Sequence, residues 1–322
     1  MSVLYIILGF VLLVLGGELL VRSSVGLSLK LNLSRMIIGL TVVSFATSAP
    51  ELIVSIQSAL NGLSGLAVGN VIGSNIANIG IVLGATALVA PLVMDKDFFK
   101  FNWLWMVVFS LICFGVLWTE NNITRLEGIL LVGLLIVFLV LLIRRARRQP
   151  AAVDIDLDVD LDEPDKQNKW WKIILFLVLG GAALWLGSEW LVKGAVQIAT
   201  AFEIPESVIA VSMIAIGTSV PELAASLIAA LKKEKAISLG NLVGSNIFNI
   251  GSVLGITALI QPIELQGENL SLLTNDIFWM IGFAVILLPL AFIPKRYVIF
   301  RLKGIGLLAI YGLFIYYIFS AL

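Results

Sequence analysis

The sequence predicts an all-α membrane protein: ten transmembrane helices arranged as two inverted-topology repeats of five. Three observations carry this. The 322 residues are 60% hydrophobic and only 13% charged, where soluble domains run about 45–50% and about 25%. Apolar runs long enough to cross about 30 Å of hydrocarbon recur along nearly the whole chain. The second half repeats the first at an offset of 171 residues. The composition also excludes several classes. There is no histidine and a single cysteine, Cys113, so disulfides within the chain, histidine triads, zinc–histidine sites and histidine proton relays are ruled out. Lys plus Arg equals Asp plus Glu at 21 each, and a nucleic-acid binder normally carries a basic excess.

The spans fall at 3–21, 36–59, 66–90, 102–118, 123–143, 172–192, 207–230, 236–260, 275–293 and 304–321. The first lacks a basic flank and a small-residue cleavage site, so it reads as an uncleaved helix rather than a secretory signal. Residues 1–143 then form the first five-helix repeat and 172–322 the second. Between them, 144–171 opens with Arg144, Arg145, Arg147 and Arg148 and turns acidic. The alternation of Asp154, Asp156, Asp158, Asp160 and Asp162 has a strand-like period, but Asp is a poor strand former and Pro150 and Pro164 bracket it. A solvated linker is the reading, with a calcium-sensing segment as the alternative. Trp103, Trp105, Trp170 and Trp171 lie at span ends and read as interfacial anchors. Cys113, in the fourth span, reads as packing.

Placing the N-terminus outside puts both termini outside and the linker in the cytoplasm. The inner loops then hold 19 of the 21 basic residues, leaving only Arg125 and Lys193 outside. That bias supports both the span count and the orientation, in a plasma or inner membrane.

Without a gap, 9–91 aligns on 180–262, with 24 identities in the 53 positions from 39 to 91. ATSAPEL at 46–52 matches GTSVPEL at 217–223, and GNVIGSNIANIGIVLG at 69–84 matches GNLVGSNIFNIGSVLG at 240–255. Five spans per half is an odd number, so the second half enters the membrane from the other side. Inverted repeats of this kind build many secondary transporters, whose sites lie near the midplane where the repeats meet.

A carboxylate in mid-membrane costs at least about 2.5–3.5 kcal/mol, so it needs a reason. Glu51 and Glu222 lie deep in the second and seventh spans at equivalent positions, each after a proline, Pro50 and Pro221. Proline removes a backbone donor and frees a carbonyl inside the helix. Steps of three and four place Thr41, Ser44, Thr47, Ser48 and Ser55 on the face of Glu51, and Ser212, Thr218, Ser219 and Ser226 on the face of Glu222. The third and eighth spans add Asn70, Ser74 and Asn78, and Asn241, Ser245 and Asn249. Every donor is oxygen, a hard-cation set suited to calcium, sodium or magnesium. Two carboxylates match one Ca2+ or more than one Na+, and competition of two cation types for one charge-limited site is a direct route to exchange. Glu18 and Glu189 sit nearer span ends, four residues before Arg22 and Lys193, and read as local helix ion pairs.

With these motifs the chain resembles a prokaryotic sodium/calcium exchanger of the Ca2+/cation antiporter superfamily. The paired Gly-Thr-Ser-x-Pro-Glu and Gly-Asn-x-x-Gly-Ser-Asn-Ile motifs carry the resemblance, the first copy having Ala46 where the second has Gly217. The resemblance implies ten helices with four ion sites around the second, third, seventh and eighth. It implies that Glu51 and Glu222 bind calcium and share in sodium sites. Thr47, Ser48, Thr218, Ser219, Ser74 and Ser245 supply further oxygens, carbonyls near Ser44 and Ala215 join them, and Asn78 and Asn249 line the centre. It implies first and sixth helices that slide across a static core. Some relatives carry Asp at the position of Asn249, which in potassium-dependent exchangers is associated with potassium use, so Asn249 leans away from it.

The expected function is therefore secondary antiport of Na+ against Ca2+ by alternating access, not enzymatic catalysis, with no cofactor. The expected partners are Ca2+, Na+ and the bilayer. A proton- or potassium-coupled exchanger and a passive cation channel are the competing readings.

Overall fold

A computed structural model of the chain describes residues 2–148, 169–202, 217–293 and 297–321. The acidic part of the linker, the start of the seventh span, Ser212 and Ala215 lie outside the described residues. Eleven helices run through the rest: α1 Ser2–Leu31, α2 Arg35–Thr47, α3 Ala49–Leu60, α4 Ser64–Val89, α5 Phe98–Thr119, α6 Arg125–Arg148, α7 Trp170–Ala201, α8 Val220–Leu231, α9 Lys235–Ile260, α10 Leu272–Phe292 and α11 Arg301–Ala321. Eight of them are long and apolar enough to cross a membrane, and the bent pair α2–α3 makes nine. Helix α8, apolar but 12 residues long, follows directly on residues outside the described set.

The first helix runs ten residues past the end that hydropathy suggests, to Leu31. Arg22, Ser23, Ser24, Ser28 and Lys30 depress the hydropathy there, but the serines return their hydroxyls to the helix. Ser23 Oγ and Ser24 Oγ donate to the Leu20 carbonyl at 2.9 and 2.7 Å, and Ser28 Oγ to that of Val25 at 2.8 Å. Their polar groups are thus satisfied without water.

By its contacts the chain divides into two compact units, each drawing on both sequence halves: Met1–Thr47 with Leu139–Asn241, and Ser48–Phe138 with Leu242–Leu322. In the first unit, α1 and α7 pack antiparallel along a glycine seam. A Cβ on Gly9 would lie 2.8 Å from the Gly187 carbonyl, one on Gly16 2.9 Å from that of Gly180, and one on Gly194 2.8 Å from that of Ser2. Glycines every seventh residue let the two backbones touch where any side chain would hold them apart. Helix α8 closes on α1 through a core of Leu13, Leu20, Val21, Ala225 and Ala229. Gly39 of α2 meets Gly240 of α9 backbone to backbone.

In the second unit, α4 packs on α11, where Gly84 faces Leu308 and Gly304, while α9 packs on α6, where Gly255 faces Gly128 and Val132. Two short antiparallel strand pairs tie the helix ends. Strand β1 (Leu92–Val93), after α4, pairs with β4 (Val298–Ile299), before α11. Strand β3 (Ile263–Glu264), after α9, pairs with β2 (Asn122–Ile123), before α6. Each pair thus joins one sequence half to the other. Trp103 and Trp105, read from sequence as interfacial anchors, are half-buried. Trp103 donates Nε1 to the Ala284 carbonyl at 2.8 Å, and Trp105 sits among Phe101, Phe109 and Phe138. Trp170 and Trp171 are exposed, and Cys113 is buried.

The local pairs Glu18–Arg22 and Glu189–Lys193 do not form among the described residues. Glu18 reaches Lys232 beyond α8, Nζ to Oε1 2.6 Å, and Lys193 lies over the Tyr5 ring at 5.0 Å. The antiparallel seam brings the start of α1 beside the end of α7, which sets Tyr5 beneath Lys193. A second ion pair joins Arg35 to Glu234 in the same unit, Nη1 to Oε1 2.8 Å.

Candidate functional site

Two helix starts are built alike. At Ser48 the backbone leaves the helix (φ −84°, ψ 2°), and α3 restarts with Pro50 in its first turn and Glu51 behind it. At Ser219 it does the same (φ −86°, ψ 0°), and α8 restarts with Pro221 and Glu222. Proline fits the first turn of a helix because its missing N–H has no acceptor to satisfy there. The turn's free N–H groups and the helix dipole favour a carboxylate at that spot. Both glutamates are fully buried, 0% exposed. The Ser48 and Ser219 carbonyls accept from Leu52 N at 3.2 Å and Leu223 N at 3.0 Å, so each serine caps its helix through its backbone.

In the second unit, α3 packs against α4 and the middle of α9. Asn70 of α4 holds α3 in place, donating Nδ2 to Ser55 Oγ at 3.0 Å and to the Glu51 carbonyl at 3.2 Å. Ser74 and Ser245 are buried one turn further along α4 and α9. Asn78 and Asn249 then each open a π-helical stretch, Asn78–Leu83 and Asn249–Leu254. Such wide turns displace the backbone register and recur at functional sites.

Around those two stretches four asparagines interlock. Asn78 Nδ2 donates to Asn246 Oδ1 and Asn249 Nδ2 to Asn75 Oδ1, both at 3.1 Å. Asn75 Nδ2 donates to the Asn246 carbonyl at 3.2 Å and Asn246 Nδ2 to the Asn75 carbonyl at 3.4 Å. The sulfurs of Met280 and Met106 lie 3.7 and 3.6 Å from the same two amide nitrogens. Asn78 Oδ1 and Asn249 Oδ1 are buried with no hydrogen-bond partner among the described residues. Buried amide oxygens are normally satisfied, so two equivalent orphans point to a ligand.

In the first unit, Ser44 Oγ lies 2.8 Å from the Gly39 carbonyl and 3.0 Å from that of Asn241, and Thr47 Oγ1 donates to Asn241 Oδ1 at 3.1 Å. Asn241 Nδ2 donates to Ser226 Oγ at 3.0 Å, the counterpart of Asn70 on Ser55. Thr218 is half-buried and Ser219 buried.

The ten residues expected from sequence are thus distributed. Ser48, Glu51, Ser74, Asn78, Ser245 and Asn249 belong to the second unit, and Thr47, Thr218, Ser219 and Glu222 to the first. Among the described residues no three Cys, Asp or Glu side chains gather. A hard cation at either glutamate would take the rest of its shell from hydroxyl, amide and carbonyl oxygens or water. Asn75 and Asn246 escaped the sequence reasoning, although their Gly-Ser-Asn motif repeats in both halves.

The sequence profile of the family described as "Sodium/calcium exchanger protein" matches residues 1–144 and 172–320. The chain is 40% identical over 261 residues to "Putative antiporter CaxA" of Alkalimonas amylolytica, covering 81% of each. It is 31% identical over 348 residues to "Sodium/calcium exchanger MaX1" of Methanosarcina acetivorans, covering 98% of each. Among solved structures, the sodium-calcium exchanger NCX_Mj superposes with a TM-score of 0.80 at 30% identity, over 98% of this chain and 97% of that one.

Proposed function

From its membership of the sodium/calcium exchanger protein family, to which this chain belongs, we propose that this cation/Ca2+ antiporter uses Na+ as its coupling ion and extrudes Ca2+ by alternating access. One observation carries the site: two helix starts of the same build, each delivering a fully buried glutamate behind a proline. Glu51 and Glu222 supply the charge. Thr47, Ser48, Thr218, Ser219, Ser74, Ser245, Asn78 and Asn249 supply neutral oxygens, the last two through the amide oxygens that have no hydrogen-bond partner among the described residues.

The charge count gives the exchange its logic. Each carboxylate loses its hydration in low dielectric, so leaving it without a cation is costly. One Ca2+ or two Na+ neutralise them, and each ion leaves most readily as the other enters. Moving more than two Na+ per Ca2+ makes the cycle electrogenic, with about 2.3 kcal/mol per net charge per 100 mV.

The architecture is ten spans, 1–143 and 172–322 being inverted repeats. The antiparallel packing of the equivalent helices α1 and α7 and the strand pairs that join one half to the other support this. Nineteen of 21 basic residues then face the cytoplasm with the 144–171 linker, and both termini lie outside. The glycine seam of α1 and α7 suits helices that slide.

Reconstitution in sodium-loaded liposomes tests the reading. Ca2+ uptake requires the outward Na+ gradient, rises with inside-positive potential if the cycle is electrogenic, and is abolished in Glu51→Gln and Glu222→Gln. Uptake driven by a pH gradient alone replaces Na+ with protons. A K+ requirement overturns the reading of Asn249. Ca2+ flux with no counter-ion makes the protein a channel.

A further inference from the structure

We propose that Asn75 and Asn246 are positioning residues that set, crosswise, which end of the Asn249 and Asn78 amides faces the ion. This rests on Asn78 and Asn249 being ligands, as proposed above. An asparagine has two ends of nearly equal size, and only the oxygen binds a cation. A flip of the amide presents its NH2 group to the ion and turns attraction into repulsion. An amide ligand in a dry site therefore works only if something reads the difference between its ends.

The four-asparagine ring makes that reading in two steps. Asn75 Nδ2 faces the Asn246 carbonyl and the Met280 sulfur, and Asn246 Nδ2 faces the Asn75 carbonyl and the Met106 sulfur. Carbonyl and thioether are acceptors only, so the NH2 ends of Asn75 and Asn246 must point at them. Their Oδ1 atoms are then forced the other way, onto Asn249 Nδ2 and Asn78 Nδ2. Those contacts in turn fix the oxygens of Asn249 and Asn78 away from the ring, where each is buried without a hydrogen-bond partner among the described residues. The order of command runs from backbone to Asn75 to Asn249, and from backbone to Asn246 to Asn78. Each half of the sequence orients the ligand of the other. All four residues are at most 2% exposed, so water does not compete for these contacts.

The test uses the full-length protein in detergent, with Ca2+ affinity read by ion-dependent thermal shift and isothermal titration. Asn75→Ala or Asn246→Ala should weaken Ca2+ binding about 10- to 100-fold, as loss of an outer-shell partner does, while the unfolding transition persists. The discriminating step is rescue. A carboxylate has two equivalent oxygens and needs no orienting, so Asn249→Asp in the Asn75→Ala background should return affinity to within a few fold of wild type. Asn78→Asp should rescue Asn246→Ala in the same way. The crossed combinations, Asn75→Ala with Asn78→Asp and Asn246→Ala with Asn249→Asp, should not rescue. Equal rescue by crossed and matched pairs would mean that added charge alone acts, and would overturn the proposal. So would unchanged affinity in Asn75→Ala and Asn246→Ala. If an alanine variant does not fold, Asn75→Ser or Asn246→Ser keeps a polar group that is too short to reach the ligand amide. Asn249→Ala separates the two levels. If it leaves Ca2+ binding intact, the ligand reading fails. If it abolishes binding while Asn75→Ala is silent, only the positioning role fails.

Discussion

At the residue scale, the Arg35–Glu234 pair shows how burial and charge oppose each other just outside the spans. Burial pushes the Glu234 carboxyl above its ordinary value of about 4.5, and the Arg35 guanidinium beside it pulls back less strongly. The folded protein therefore binds this proton more tightly than the unfolded chain does. Stability falls as pH rises from about 4.5 through the raised folded value and is flat above it. Thermal unfolding of Glu234→Gln in detergent across that range should lack this slope. Arg35→Gln removes the opposing charge, so its slope should extend to higher pH. At neutral pH the two variants should also differ in size. Arg35→Gln strands a carboxylate that is 1% exposed and should cost about 3–5 kcal/mol. Glu234→Gln leaves an arginine 27% exposed, which reaches water and loses less. None of this was legible in the sequence, where the two residues stand 199 positions apart. The glutamates of the proposed site were legible, because a carboxylate inside an apolar run is conspicuous and its repetition at the same offset more so.

At the scale of elements, hydropathy located most spans but misjudged their ends and shapes. It ended α1 at 21 because it scores serine as polar wherever its hydroxyl goes. It carried no signal for the π-helical stretches at Asn78 and Asn249, since a wide turn arises from packing rather than from a residue's own preference. The seam glycines of α1 and α7 went unread in the sequence, and only the structure brings them together. Gly187→Ala would put a methyl 2.9 Å from both the Gly9 carbonyl and Leu13 N, contacts a Cβ does not tolerate. Overpacking of this kind costs about 1–3 kcal/mol, and the variant should lower the unfolding temperature of the protein. Gly282→Ala in α10 is the matched control. Nothing lies within 4 Å of its new methyl, and alanine is the better helix former by about 1 kcal/mol. It should be neutral or slightly stabilising. Equal losses in both variants would mean that the seam is not a special contact.

At the scale of the whole molecule, the repeat is nearly symmetric in its site and asymmetric in its ion pairs. The 171-residue offset carries Glu18 to Glu189 and Lys232 to Asn61, and it carries Arg35 to Glu206 and Glu234 to Leu63. Neither Glu18–Lys232 nor Arg35–Glu234 therefore has a counterpart of opposite charges in the other half. In the proposed cycle the halves exchange roles between the two end states, so an interaction with no counterpart stabilises one end state only. The pair between α1 and the end of α8 joins the helix expected to move to one expected to stay, and its basic partner belongs to a loop expected in the cytoplasm. Partly exposed pairs are worth about 0.2–1 kcal/mol, which sets a shift of up to about fivefold between the states. Lys232→Gln should therefore move the apparent Ca2+ affinities measured from the two faces of oriented vesicles in opposite directions by up to that factor. Glu18→Gln should do the same, and the double variant should do no more than either single one. If Lys232→Gln changes both faces alike, the pair only holds the fold together and the balance of the cycle is set elsewhere.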